Sequence, residues 1–204
     1  MKILQGFLVF MFLAKSSDAE CDDVYIVNRK NLPTKRCMAL SERDERGPGW
    51  LMRLEDCTDA PAQKFRIDFL TNRGGEETGL FYIESDAASQ GNGWDTAYMR
   101  RGRESGEMEV PSRMRLDTQC HDCIIKFRLD KVSNRPRDIF HYIEVDGYDN
   151  DYCITGAGAD QKAGKQIIVH NCAEIPDLAR YEWYITRDLD DNEAIIVDPI
   201  NECS

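Results

Sequence analysis

Three histidines, His121, His141 and His170, are all the chain has for imidazole acid–base or metal chemistry. His121 lies between Cys120 and Cys123, but a zinc site needs four ligands at defined spacing and no second cluster supplies them. The Cys-x-x-Cys spacing also occurs in redox motifs, which open a helix after a strand and depend on a lowered thiol pKa. A structural disulfide is the expectation here, and His170, in a strand-like run next to Cys172, reads as a surface histidine. Neither a Gly-x-Ser-x-Gly nucleophile elbow nor a glycine loop closed by Lys-Ser/Thr is present, so no enzyme activity and no cofactor are expected. Asp146, Asp149 and Asp151, and then Asp188, Asp190, Asp191 and Glu193, gather carboxylates over short runs. Neither run has a glycine and a closing glutamate at the fixed places an EF-hand needs, so they read as solvated loops with at most a weak attraction for calcium ions or a mineral face. Arg100, Arg101 and Arg103, with Arg113 and Arg115, form a basic stretch that could dock a sulfated polysaccharide or pair with Glu104, Glu107 and Glu109.

The elements that must carry these residues are bounded by composition. The chain has 204 residues, 42% hydrophobic and 31% charged, which is room for one ordinary domain. Its net charge of -11 disfavours nucleic acid, because phosphate binding needs a concentrated positive field. Lys2 followed by the apolar run 3–14 and by Ser17-Asp18-Ala19 predicts a cleaved secretory signal over residues 1–19, too short to span a membrane. Removing it takes away Lys2, Lys15 and Asp18 and leaves a mature charge of -12. All eight cysteines, Cys21, Cys37, Cys57, Cys120, Cys123, Cys153, Cys172 and Cys203, lie in the mature part. An even number in an exported chain reads as four disulfides, with the connectivity open at this point.

Internal repetition is the most informative property. Tyr25-Ile26, Tyr82-Ile83 and Tyr142-Ile143 recur at intervals of 57 and 60 residues. Each copy closes on a second anchor: Lys64-Phe65-Arg66-Ile67-Asp68, Lys126-Phe127-Arg128-Leu129-Asp130 and Glu182-Trp183-Tyr184-Ile185-Thr186. Phe65, Ile67 and Phe69 alternate with Arg66 and Asp68, the period of a half-buried strand. No helical apolar period lasts three turns. Four strands per copy are expected: around Tyr25, Cys37, Leu51 and Phe65, then Tyr82, Tyr98, Met114 and Phe127, then Tyr142, Cys153, Ile168 and Trp183. Three four-stranded units are too few for a propeller.

This threefold pattern resembles the β-trefoil, and its details resemble the ricin B-type lectin family, whose repeats carry a Cys, an apolar strand, a second Cys and a Gln-x-Trp. Cys37-Met-Ala-Leu40 leads to Cys57 and Gln63-Lys-Phe65, and Cys153-Ile-Thr155 leads to Cys172 and Tyr181-Glu-Trp183. The resemblance covers residues 20–204, with repeats at about 20–70, 71–131 and 132–187 and a tail over 188–204. It implies an all-β, disulfide-stapled trefoil with bridges Cys37–Cys57, Cys153–Cys172, Cys120–Cys123 and Cys21–Cys203. The family's sugar site places an Asp after the first Cys and an aromatic ring before the second. Here the first copy has Ala39 and Glu55, the third has Thr155 and His170, and the second has Asp95 and Asp117 without a ring, so no copy keeps the full set. The expectation is a secreted, extracellular, non-enzymatic binding module with carbohydrate as its default ligand. Two alternatives stand beside it: an acidic protein of an extracellular or mineralised matrix, and a trefoil protease inhibitor presenting the Arg100 to Arg103 loop.

Overall fold

The computed structural model describes residues 20–43, 50–85, 87, 97–101, 112–117, 125–131, 140–146, 152–172 and 178–190. Among them run twelve β-strands: β1 (Glu20–Asn28), β2 (Arg36–Arg43), β3 (Trp50–Asp56), β4 (Phe65–Thr71), β5 (Glu77–Ser85), β6 (Ala97–Arg101), β7 (Ser112–Asp117), β8 (Phe127–Lys131), β9 (His141–Val145), β10 (Tyr152–Gly156), β11 (Ile167–Asn171) and β12 (Glu182–Thr186). Each residue named above as a strand centre falls in a different one of them. No helix among the described residues is long and apolar enough to cross a membrane.

Six strands close on one another. β1 pairs with β4, β4 with β5, β5 with β8, β8 with β9, β9 with β12, and β12 returns to β1, every pair antiparallel. Closure leaves this ring without a free edge, which removes the template for unwanted pairing. The other six strands form the hairpins β2–β3, β6–β7 and β10–β11. β3 meets β7, β7 meets β11, and a single bridge from Arg53 to Gln166 links the third side, so the hairpins meet one another beyond the barrel.

The alternation read from the sequence fixes which side chains enter the barrel. Phe65, Ile67 and Phe69 on β4 are buried, as are Phe81 and Ile83 on β5, Phe127 on β8 and Ile143 on β9. Phe81 bridges Phe69 and Phe127 with ring centroids 5.8 and 5.9 Å away. Each such side chain contributes about 1.5–3 kcal/mol by leaving water. Trp183 is fully buried, and its indole N–H donates to the Ile154 carbonyl at 3.0 Å, so its one polar atom is satisfied inside the core.

Two disulfides staple the hairpins. Cys37 joins Cys57 across β2–β3 with Cα atoms 5.0 Å apart, and Cys153 joins Cys172 across β10–β11 at 5.4 Å. Each closes a loop of about 20 residues, worth roughly 3 kcal/mol in the chain-entropy account. Cys21 is also disulfide-bonded; Cys120, Cys123 and Cys203 lie outside the described residues. Gln161 fastens the connection from β10 to β11 to the end of β10. The Gly156 N–H donates to the buried Gln161 amide oxygen at 2.9 Å and its carbonyl accepts from the amide nitrogen at 2.6 Å.

Candidate functional site

The positions that the family resemblance singles out are occupied by side chains with internal duties. Ala39 is buried on β2 opposite Arg53, and Glu55 faces Cys37 across the same hairpin. Thr155 is wholly buried, and its hydroxyl donates to the Arg180 carbonyl at 2.9 Å. His170 faces Cys153 on β11, half-buried, with Nδ1 3.3 Å from the Tyr181 hydroxyl. Asp117 ends β7, while Asp95 lies outside the described residues. The first and third copies therefore hold no acidic acceptor facing an open ring platform at these places.

The motif residues Gln63 and Tyr181 are structural. Gln63 is buried, donates to the Asp56 carbonyl at 2.8 Å and accepts from the Thr58 N–H at 2.7 Å. Tyr181 is fully buried and donates to the Asn171 carbonyl at 3.4 Å. Both thus tie down the residue just before a half-cystine.

Among the described residues a groove of about 370 Å³ opens on the outer wall of the barrel, lined by Asp22, Asp23, Pro61, Lys64, Phe65, Arg66 and Ala87. That volume is at the lower end of small-ligand sites. Its origin is an irregularity in β1. Cys21 pairs with Ile67 and Val24 with Phe65, so two residues of β1, Asp22 and Asp23, oppose the single residue Arg66 of β4. Such a bulge re-aims side chains. Here it lets Cys21 and Val24 both point into the core while Asp22 and Asp23 stay exposed. Asp23 takes a φ of 54°, a left-handed conformation that Asp tolerates better than most residues. Lys64, just before β4, and Arg66 on β4 form the opposite wall.

The two cations of that wall already have partners. Arg66 donates through Nε to Glu84 at 2.8 Å and also through a terminal nitrogen, and Glu84 is 1% exposed. Lys64 pairs with Asp59 at 2.9 Å, and Asp59 accepts the Tyr25 hydroxyl at 2.5 Å. The Lys64 hydrogen bond, with that of Tyr25, holds the Asp59 carboxyl below its ordinary value of 3.8. Asp59 in turn raises the Lys64 pKa, and the field of Asp23 acts in the same direction. Burial, then the bond to Asp59, raises the Tyr25 hydroxyl, so it stays protonated and is no base. Asp22 and Asp23 make no hydrogen bond or ion pair among the described residues. The groove thus offers unengaged acceptors on one wall and engaged donors on the other, with no activated nucleophile.

Sequence reasoning passed over this groove, although one signal was present. In Cys21-Asp22-Asp23-Val24-Tyr25-Ile26-Val27, two polar residues in succession interrupt an otherwise apolar strand, the mark of a bulge. Of the other candidates, Arg100 and Arg101 belong to β6, in register with Arg115 and Met114 of β7. They lie in a strand ladder and not at a loop tip, because the residues from Ala97 onward pair with β7; Arg103 and His121 are outside the described residues. Asp146 occupies an exposed turn, Asp188 and Asp190 lie exposed after β12 with the Asp190 N–H donating to the Asp188 carboxylate at 2.8 Å, and Asp149, Asp151, Asp191 and Glu193 are outside the described residues. No group of three metal-ligating residues that could hold an ion occurs among the described residues. His141 is buried on β9.

No protein-family model matches the chain, and no curated protein matches it. Solved structures do. A designed threefold-symmetric protein, ThreeFoil, superposes with a TM-score of 0.58 at 11% identity, over 84% of this chain and 100% of its own. The ricin B-like lectin of Macrolepiota procera, solved in complex with lactose, gives 0.52 at 13% identity over 81% of this chain and 95% of its own. The Rhizoctonia solani agglutinin gives 0.54 at 12% identity over 82% and 96%. At such identities the likeness concerns the fold, and with the six-stranded ring and its three hairpins it assigns this chain the β-trefoil fold of the ricin B-like lectins.

Proposed function

We propose that the chain is a secreted, non-enzymatic binding module of ricin-B-like kind, built of three four-stranded pseudo-repeats, and that its ligand class is carbohydrate. The pseudo-repeats are supported by matching side-chain roles. Arg66 and Glu84 face each other across β4 and β5, and Arg128 and Glu144 do so across β8 and β9, each as an ion pair. At the corresponding place on β12 and β1 stand Tyr184 and Val27, an apolar pair packed near Cys37. Gln63 and Tyr181 likewise play one part in two copies, each donating to the carbonyl before a half-cystine. Export is supported by the leader-like residues 1–19 and by the disulfides, which persist in oxidising compartments.

The observation that carries the ligand class is the groove: open, lined chiefly by charged side chains, with exposed carboxylates that accept from hydroxyl groups and a proline ring at its side. Such a surface suits a polyhydroxylated ligand better than an apolar one, since a sugar brings many donors and keeps its polar groups bonded. It differs from the family's usual positions, which Ala39, Glu55, Thr155 and His170 fill here. A glycan array probed with the mature chain and with an Asp22→Asn/Asp23→Asn variant tests the proposal. Binding that the variant loses is the expected result; no binding to neutral, amino or sulfated glycans removes the carbohydrate reading.

A further inference from the structure

We propose that the groove selects a sugar bearing a free ammonium group, an amino sugar that is not N-acylated. This rests on the carbohydrate reading and narrows it. The charged and titratable groups lining the groove are Asp22 and Asp23 on β1, Lys64 just before β4 and Arg66 on β4; Asp59, Glu84 and Tyr25 stand behind them. Lys64 is matched by Asp59 and Arg66 by Glu84, so each cation meets a carboxylate before a ligand arrives. That leaves Asp22 and Asp23 with no hydrogen-bonded cation of their own, only the longer-range field between Asp23 and Lys64, so carboxylate is in excess at the mouth of a cavity of about 370 Å³.

The chemistry of recognition follows from that imbalance. An acidic or sulfated sugar would meet the two aspartates and find the guanidinium and ammonium already engaged, so it is repelled. A neutral sugar can donate its hydroxyls to Asp22 and Asp23 but leaves their charge unmatched. An ammonium group on the ring supplies three donors and the missing positive charge, and its hydrogen bonds to carboxylate are charge-assisted and short. The bulge adds a geometric reason. It places consecutive side chains on the same outer side of β1, so both carboxylates can face one ammonium, which regular alternation would forbid. N-acetylation removes the charge and two of the three donors, and so removes the basis of selection.

Titration calorimetry on the mature chain with a glucosamine tetramer, its fully N-acetylated counterpart and an aliphatic diamine tests this. The glucosamine tetramer should bind at least about tenfold more tightly than the N-acetylated one at about pH 6, where the amine is charged, and lose that preference near pH 9. Asp22→Asn/Asp23→Asn should abolish the preference; both positions are exposed, and Asn tolerates the left-handed φ of residue 23. Equal binding of both tetramers, lost in the variant, would overturn the amine selection and leave the carbohydrate reading standing. Binding of the diamine as tightly as the amino sugar would keep the cation site and overturn the sugar. Binding of neither tetramer would overturn both, and a preference that survives in the variant would show that the groove is not its source.

Discussion

Replacing Arg66 by Ala tests how the barrel tolerates charge on its inner margin. Glu84 is 1% exposed and receives two hydrogen bonds from the Arg66 guanidinium, whose own side chain is 25% exposed. Arg66→Ala strands a buried carboxylate without its cation, a change that costs roughly 3–5 kcal/mol when both partners are buried. Because Arg66 borders the groove and water can enter where it stood, about 3 kcal/mol is the expected loss. Glu84→Gln leaves instead an arginine that already reaches solvent, and about 1–1.5 kcal/mol is expected. Arg128→Ala should cost about 1–2 kcal/mol, since Arg128 is 59% exposed and its pairing with Glu144 is better screened. For a domain of this size 3 kcal/mol lowers Tm by roughly 6–12 °C. Denaturant unfolding under oxidising conditions, checked by thermal scans, gives the order directly. A stranded carboxylate titrates upward, so the Arg66→Ala penalty should shrink on acidification as Glu84 takes up a proton. The double change Arg66→Tyr/Glu84→Val, which copies the Tyr184–Val27 pair, should recover most of the loss. A penalty for Arg66→Ala no larger than that of Glu84→Gln or Arg128→Ala, or one that is unchanged by acid, would refute the reasoning.

Other outcomes are as definite. Gly156→Ala places a Cβ 2.4 Å from Leu54 Cδ1 and 2.5 Å from the Gln161 amide oxygen, so two packed side chains must shift, and a loss of about 1–3 kcal/mol by chemical denaturation is expected. Tyr184→Phe removes a buried hydroxyl that has no hydrogen-bond partner, whose pKa burial raises; the variant should be neutral or more stable by up to about 1 kcal/mol in the same assay. Asp59 has a pKa depressed below 3.8 in the folded state, so its contribution is present above that value and is lost as pH falls through the lower folded value. Asp59→Asn should therefore cost a little stability at neutral pH, little because the pair is exposed, and that difference should vanish in a stability–pH curve as pH falls below about 4.

The barrel was legible because its strands follow the simplest code. Tyr-Ile anchors and the Lys-Phe-Arg-Ile-Asp segment alternate with a period of two, and Ile83, Ile143, Phe65 and Phe127 entered the core as alternation requires. The bridges Cys37–Cys57 and Cys153–Cys172, implied by the family resemblance, join β2 to β3 and β10 to β11. Glu84 was illegible, since a glutamate in a strand reads as solvent-facing until its cross-strand partner is known to be Arg66. The groove was hidden for a related reason: Asp22 and Lys64 are distant in sequence and meet only when β1 pairs with β4. The bulge that aims the aspartates uses no glycine, so the residue that usually advertises a left-handed turn is missing at Asp23. The family's sugar positions, already incomplete in the sequence, hold Thr155 and His170, and each is engaged in an internal hydrogen bond that only the fold reveals.

The most direct measurement of the central claim is a crystal structure of the mature chain with the tightest-binding glycan from the array. The account predicts ring density between Pro61 and the Asp22–Asp23 bulge, with a donor of the sugar on at least one of those carboxylates. Density instead beside Ala39 and Glu55, or beside Thr155 and His170, would contradict it.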